Sequence, residues 1–228
     1  MSRCCWWRYA ADMGGWELPA LSDGACAFSD LREDFVYARI PRARRAYYIE
    51  RGLALGREGV ARYLGQDLES LLRADGVVIN RVEEPSPWGL HAQICWDKAT
   101  RQIDIFADTA RALSQALEGT GLEQGPEALE RLFLAHEFYH WLEYSGGVPA
   151  SEKCAAVEWR VLGLFPRRAQ VRRVDEIAAF AFAKELCGLP VHPKAMDYIL
   201  LYRRQGEGLG QITQRLRALE ADYRRECL

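Results

Sequence analysis

Apolar residues recur at helical spacing over most of this chain, and only between residues 77 and 108 does the period fall to two. There VVINRV (Val77 to Val82), LHAQICWD (Leu90 to Asp97) and QIDIFAD (Gln102 to Asp108) predict three strands, with PSPWG (Pro85 to Gly89) and KATR (Lys98 to Arg101) as turns. In the middle strand Leu90, Ala92, Ile94 and Trp96 alternate with His91, Gln93, Cys95 and Asp97, so one face is apolar and the other polar. Before the strands, Leu64, Leu68, Leu71 and Leu72 predict helix over roughly Ala46 to Ala74. After them, Pro126 following Gly125 suits a helix start and Gly146-Gly147 its stop, and Leu129, Leu132 and Phe133 form its apolar stripe. A further helix is predicted over Val174 to Leu186, and two more over Ala195 to Arg204 and Gln211 to Arg225, joined by GEGLG. Ile212, Leu216, Leu219 and Tyr223 make the stripe of the last one. The order predicts an α+β fold: a small antiparallel sheet ahead of a central helix, with helical additions at both ends.

The stripe of the central helix runs into HEFYH, His136 to His140. At about 100° per residue His136 and His140 lie one turn apart on one face, close enough for both rings to reach a single metal ion. Glu137 flanks that face, where it can take a proton from ion-activated water and pass it to a leaving amine. Read instead as ordinary core histidines, the same residues would leave Glu137 ionisable beside a buried face with no partner. This makes Glu137 the candidate general base of a zinc-dependent hydrolase.

A third ligand is needed. Glu143 lies on the histidine face, but its rise from His136 is about 10.5 Å, too far to close around one ion. It is better placed behind the ligands, or as an exposed acid at the helix end. Glu176 shares a face with Ala179 and Ala183, small residues that would let the Val174 to Leu186 helix lie close against the histidine helix. A carboxylate in a close-packing apolar stripe calls for a reason. A metal ion is one, and a salt bridge near a helix start, where the macrodipole favours acids, is another. Asp175 and Glu185 point about 100° and about 180° away.

These residues resemble the ImmA/IrrE-like metallopeptidases. The resemblance rests on AHEFYH (Ala135 to His140) and on the later pattern Glu176, Ala179, Phe182, Ala183 and Leu186, followed by Pro190, and it covers roughly residues 70 to 190. It implies a zincin-like fold, in which a small sheet precedes the metal helix and an edge strand holds extended peptide. It also implies a gluzincin-type centre with His136, His140 and Glu176 as ligands and Glu137 as base. The substrate class it implies is a protein, a helix-turn-helix transcriptional repressor. Two imidazoles favour zinc, with manganese possible. Tyr139 stands where many members carry glycine, and is read as helix packing, with crowding of the cleft or hydrogen bonding to an oxyanion as the alternative.

Composition narrows the remainder. The 228 residues, 49% of them hydrophobic, suffice for one good core. They divide into an N-terminal arm (1–46), a metallopeptidase domain (47–190) and a C-terminal helical tail (191–228). A formal charge of −2 argues against nucleic-acid binding by the whole chain. Seven cysteines, an odd number with Cys4 and Cys5 adjacent, suit a reducing cytoplasm better than a disulfide framework. Neither a signal peptide nor a membrane span is expected, since the purest apolar run, Ile177 to Ala183, is too short. The basic stretch RIPRARR (Arg39 to Arg45) reads as a solvated loop or helix end, and His192 as a loop residue. His91 is expected to be solvated or structural, with a place in the cleft as its functional alternative. Arg203, Arg204, Arg215, Arg217, Arg224 and Arg225 would suit phosphates if the last two helices bound DNA; packing as a tail or partner-docking element is the stronger reading. Two rivals to the repressor peptidase remain: a regulatory protein that acts by binding DNA or a partner, and a toxin-like protease with another target.

Overall fold

Strands form where the period is two, and helices take most of the rest. In the computed structural model, which describes residues 16–86, 89–97 and 99–228, the chain has a mixed α+β fold. The first 15 residues of the N-terminal arm, and Pro87, Trp88 and Lys98 of the expected turns, lie outside the described residues.

β1 (Val78–Val82), β2 (Ala92–Trp96) and β3 (Arg101–Phe106) form one sheet in the order β1-β3-β2. β2 and β3 pair antiparallel, with Ala92 opposite Ile105 and Trp96 opposite Arg101. β1 and β3 pair parallel, with Val78 opposite Gln102 and Val82 opposite Phe106. The sheet is therefore mixed, which corrects the expectation of a wholly antiparallel one. The reason lies in β3. Its Ile103 and Ile105 are fully buried, so it takes the centre, while the chain leaving β1 passes over that place before β2. β2 is left as an edge.

Glycines divide the stretch expected as one helix from Ala46 to Ala74. It forms α2 (Arg42–Glu58), a 3₁₀ turn (Val60–Arg62) and α3 (Leu68–Ala74), with Gly65 between them at φ +74°. Leu64 is exposed there. Elements that the period did not reveal are α1 (Asp23–Arg32), α4 (Ala107–Ala116) and a separate antiparallel hairpin, β4 (Val157–Val161) with β5 (Phe165–Ala169). α1 is capped by Ser22, whose Oγ accepts from the Ala25 amide at 3.1 Å.

α5 (Pro126–Tyr144) and α6 (Arg173–Cys187) cross at the centre, and α2 packs on the other side of α6. Gly56 sets that second distance, because a Cβ there would lie 2.2 Å from the carbonyl oxygen of Ala178. α7 (Pro193–Arg204) and α8 (Leu209–Cys227) follow. α8 lays Ile212, Leu216 and Tyr223 against α1 and α2, and Glu220 accepts from both the amide and the hydroxyl of Ser22 at 2.9 Å. One cluster of buried residues thus runs from Ala25 in α1 to Tyr223 in α8. The basic stretch is held rather than free. Arg45 pairs with Glu226 at 2.5 Å and lies over Tyr37, and Arg39 lies over Trp159. Among the C-terminal arginines, Arg215, Arg224 and Arg225 face Glu207, Glu220 and Asp222. No helix among the described residues is long and apolar enough to cross a membrane.

Candidate metal centre

α5 begins with Pro126 in its first turn, where a missing N–H costs nothing, and is buried on most sides as it runs beneath the sheet and across α6. On α6, Ala179 and Ala183 are fully buried, and Glu176, on their face, reaches the two histidines. His136 Nε2 lies 3.3 Å from Glu176 Oε2 and 3.3 Å from His140 Nε2, and His140 Nε2 lies 3.6 Å from Glu176 Oε1. His136, His140 and Glu176 form a group that could hold a metal ion, each offering one ligand atom.

The spacing allows a test of fit. Ligands about 2.0–2.1 Å from an ion at tetrahedral angles stand about 3.3–3.4 Å from one another. The two Nε2 atoms stand 3.3 Å apart, in line with that figure, and the two Glu176 oxygens divide between them, Oε2 3.3 Å from His136 and Oε1 3.6 Å from His140. The two imidazole nitrogens and the carboxylate oxygens are electron donors, which repel one another unless a proton or a metal cation lies among them. Burial opposes charge on His140, but the hydrogen bond to Glu143 and the neighbouring Glu176 carboxylate outweigh it and push its pKa up to about 10. Burial likewise opposes charge on Glu176, yet the two imidazoles hold it well below the usual carboxylate range. The group could hold a cation.

Glu143 is not an exposed acid. Its Oε2 meets His140 Nδ1 at 3.1 Å and its Oε1 accepts from the Ala150 amide at 2.7 Å, so it sits behind the ligand and turns Nε2 toward the centre. Among the described residues His136 has no such support, and its Nδ1 is buried without a partner there. Glu137 is buried in the cleft wall next to His136 and His140, with Ile94 of the edge strand in the same wall. Burial raises its pKa, offset only in part by the charges of His136 and His140. Tyr139 packs against Phe182 at 5.4 Å, as helix packing requires. Asp175 points elsewhere and accepts from the Ser151 amide at 2.6 Å.

A cleft of about 550 Å³ opens beside the three donors, lined by Ala92, Gln93 and Ile94 of β2 and by Phe133, Phe180 and Leu200. His91 forms part of its wall, stacked on Phe133 at 4.4 Å with Nε2 3.0 Å from Asp197 Oδ1. Asp197 was not found from the sequence. The signal was present: an acid within the apolar run AMDYILL, the kind of misfit that marked Glu176. His192 is no loop residue but the cap of α7, where its Nδ1 accepts from the Lys194 amide at 3.2 Å; it lies behind Phe180, the ring that also covers His136. Beyond Glu176 the surface dips again, between Asp34, Tyr144, Arg172 and Arg173.

Comparison with models of protein families, with curated proteins and with solved structures returns no match.

Proposed function

We propose that this protein is a zinc-dependent endopeptidase of the ImmA/IrrE-like, gluzincin type, with a zincin-like core and a protein substrate, a helix-turn-helix repressor. The observation that carries the reading is the convergence of His136 Nε2, His140 Nε2 and the Glu176 carboxylate within 3.3–3.6 Å of one another, beside the buried carboxylate of Glu137. His136, His140 and Glu176 would hold the ion; two imidazoles and a carboxylate suit zinc, and manganese is the alternative. When bound, such an ion supplies Lewis acidity, polarising a carbonyl oxygen and making nearby water more acidic.

The chain's own groups do the rest. Glu137 takes the proton of the attacking water on its carboxylate, keeps it because burial raises its pKa, and delivers it to the nitrogen of the leaving amine. Glu143 keeps the His140 ring turned so that Nε2 faces the cleft. β2, an edge strand along the cleft, offers main-chain groups to an extended segment, which selects a linker or frayed region of the substrate. His91, next to β2 and held by Asp197 and Phe133, shapes the same wall.

The test is cleavage of a helix-turn-helix protein encoded beside this chain, with products mapped by mass spectrometry. Glu137→Gln keeps the shape and the ligands but removes the base, so cleavage should fall about 10²–10⁴-fold with metal content unchanged. A Glu137→Gln protein that cuts as fast as wild type would defeat the peptidase reading.

A further inference from the structure

The β4–β5 hairpin inverts the usual arrangement of side chains. Its tip carries Leu162, Leu164 and Phe165 at 84%, 73% and 56% exposure, with Val161 beside them. Leu162 is also the one non-glycine among the described residues with positive φ, +52°, a conformation that costs a leucine roughly 1–2 kcal/mol. The chain thus accepts backbone strain and exposed apolar surface at one place, with nothing in the described fold covering it. Directly behind the tip stand Arg160, Arg167 and Arg168, all exposed. None of them forms an ion pair among the described residues, whereas Arg172 and Arg173 just beyond the hairpin meet Glu152 and Glu33.

We propose that this hairpin is a membrane-docking element that inserts its apolar tip into the interfacial layer of an anionic lipid bilayer. Register and length fit that occupant. Arg160 stands opposite Pro166, one rung behind the Val161 and Phe165 pair. At about 3.3 Å per residue the turn extends roughly 7 Å past the Arg160 Cα. That matches the roughly 5–10 Å by which apolar groups enter the headgroup and acyl boundary, and places Arg160, with Arg167 and Arg168 one and two rungs further back, within reach of lipid phosphates. A nucleic acid would use the arginines but leave Leu162, Leu164 and Phe165 in water. A hydrophobic protein groove would take the tip but leave the arginines unanswered.

The experiment is flotation of the full chain with vesicles of equal parts phosphatidylglycerol and phosphatidylcholine, against vesicles of phosphatidylcholine alone. Wild type should float with the anionic vesicles only and be released by salt. Leu164→Asp with Phe165→Asp should abolish flotation. Arg160→Gln, Arg167→Gln and Arg168→Gln together should weaken it on the order of a hundredfold. Unchanged circular dichroism and thermal midpoint keep folding out of the comparison, since these side chains project into solvent. Absence of flotation at low salt, or flotation that survives the Asp pair, overturns the proposal. So does dimerisation without vesicles that the Asp pair relieves, or DNA retention that needs the arginines but not the tip.

Discussion

At the crossing of α5 and α6 the ionisable side chains of Glu137, His140 and Glu143 lie inside the protein, whereas at the β4–β5 hairpin the apolar side chains of Leu162, Leu164 and Phe165 lie outside it. Both arrangements run against the ordinary burial preference. They differ in where the cost is met. In the centre each charged group finds another: Glu143 holds His140, Glu176 faces both imidazoles, and Glu137 lies within the field of the same two histidines. In the hairpin no described neighbour answers the tip or its arginines, so the compensation has to come from another phase. A buried polar cluster with matched partners points to chemistry done within the chain; an exposed apolar tip on strained backbone points to something the chain meets.

The sharpest way to break this contrast is at the centre itself. Glu176→Ala should lower metal affinity by more than the roughly 10–100-fold that loss of a supporting carboxylate costs, since it removes a ligand rather than a ligand's partner. Elemental analysis after dialysis reads it, and unchanged metal content would remove Glu176 from the donor set.

Next in size is a titration on the buried side. Burial lowers the pKa of His192 from 6.5 to about 4, with Asp23 and Asp197 pulling upward and Lys184 and Lys194 downward. Neutral His192 therefore contributes stability that is present above about pH 6.5 and lost as pH falls through about 4, up to about 3 kcal/mol in all. His192→Asn keeps a capping group but cannot titrate. Urea melts from pH 7 to 4 should show a steeper loss for wild type than for the variant, and parallel curves would discard the assignment.

Glu143→Ala comes third, with metal affinity down about 10–100-fold and stability down about 1–3 kcal/mol, because the Ala150 amide is left buried without an acceptor. Isothermal titration and denaturant melts separate the two effects. The smallest effect belongs to the hairpin. Leu162→Gly relieves the positive φ and should stabilise the fold by about 0.5–1 kcal/mol while weakening vesicle binding, an opposition that no residue of the centre should show.

The sequence by itself determined which side chains meet at the centre. Two histidines four apart on a stripe, and an acid out of place among alanines, are periodic signals that a helix converts directly into shared faces, because its geometry is local. The stripe of α8 and the three strands were legible for the same reason. Tertiary structure decided the rest. β3 took the middle of the sheet because Ile103 and Ile105 bury best there, and pairing order is set by competition among strands distant in sequence. α1 carries Ala25, Cys26, Ala27 and Phe28 in a row, fully or almost fully buried, and a helix buried on most sides has no polar face to betray its period. Glu143 could be ruled out as a ligand from rise alone, but its hold on His140 depends on Ala150, brought back by the turn at Gly146 and Gly147. Asp197 and His91 meet across 106 residues, and a contact of that kind exists only once the two elements have packed.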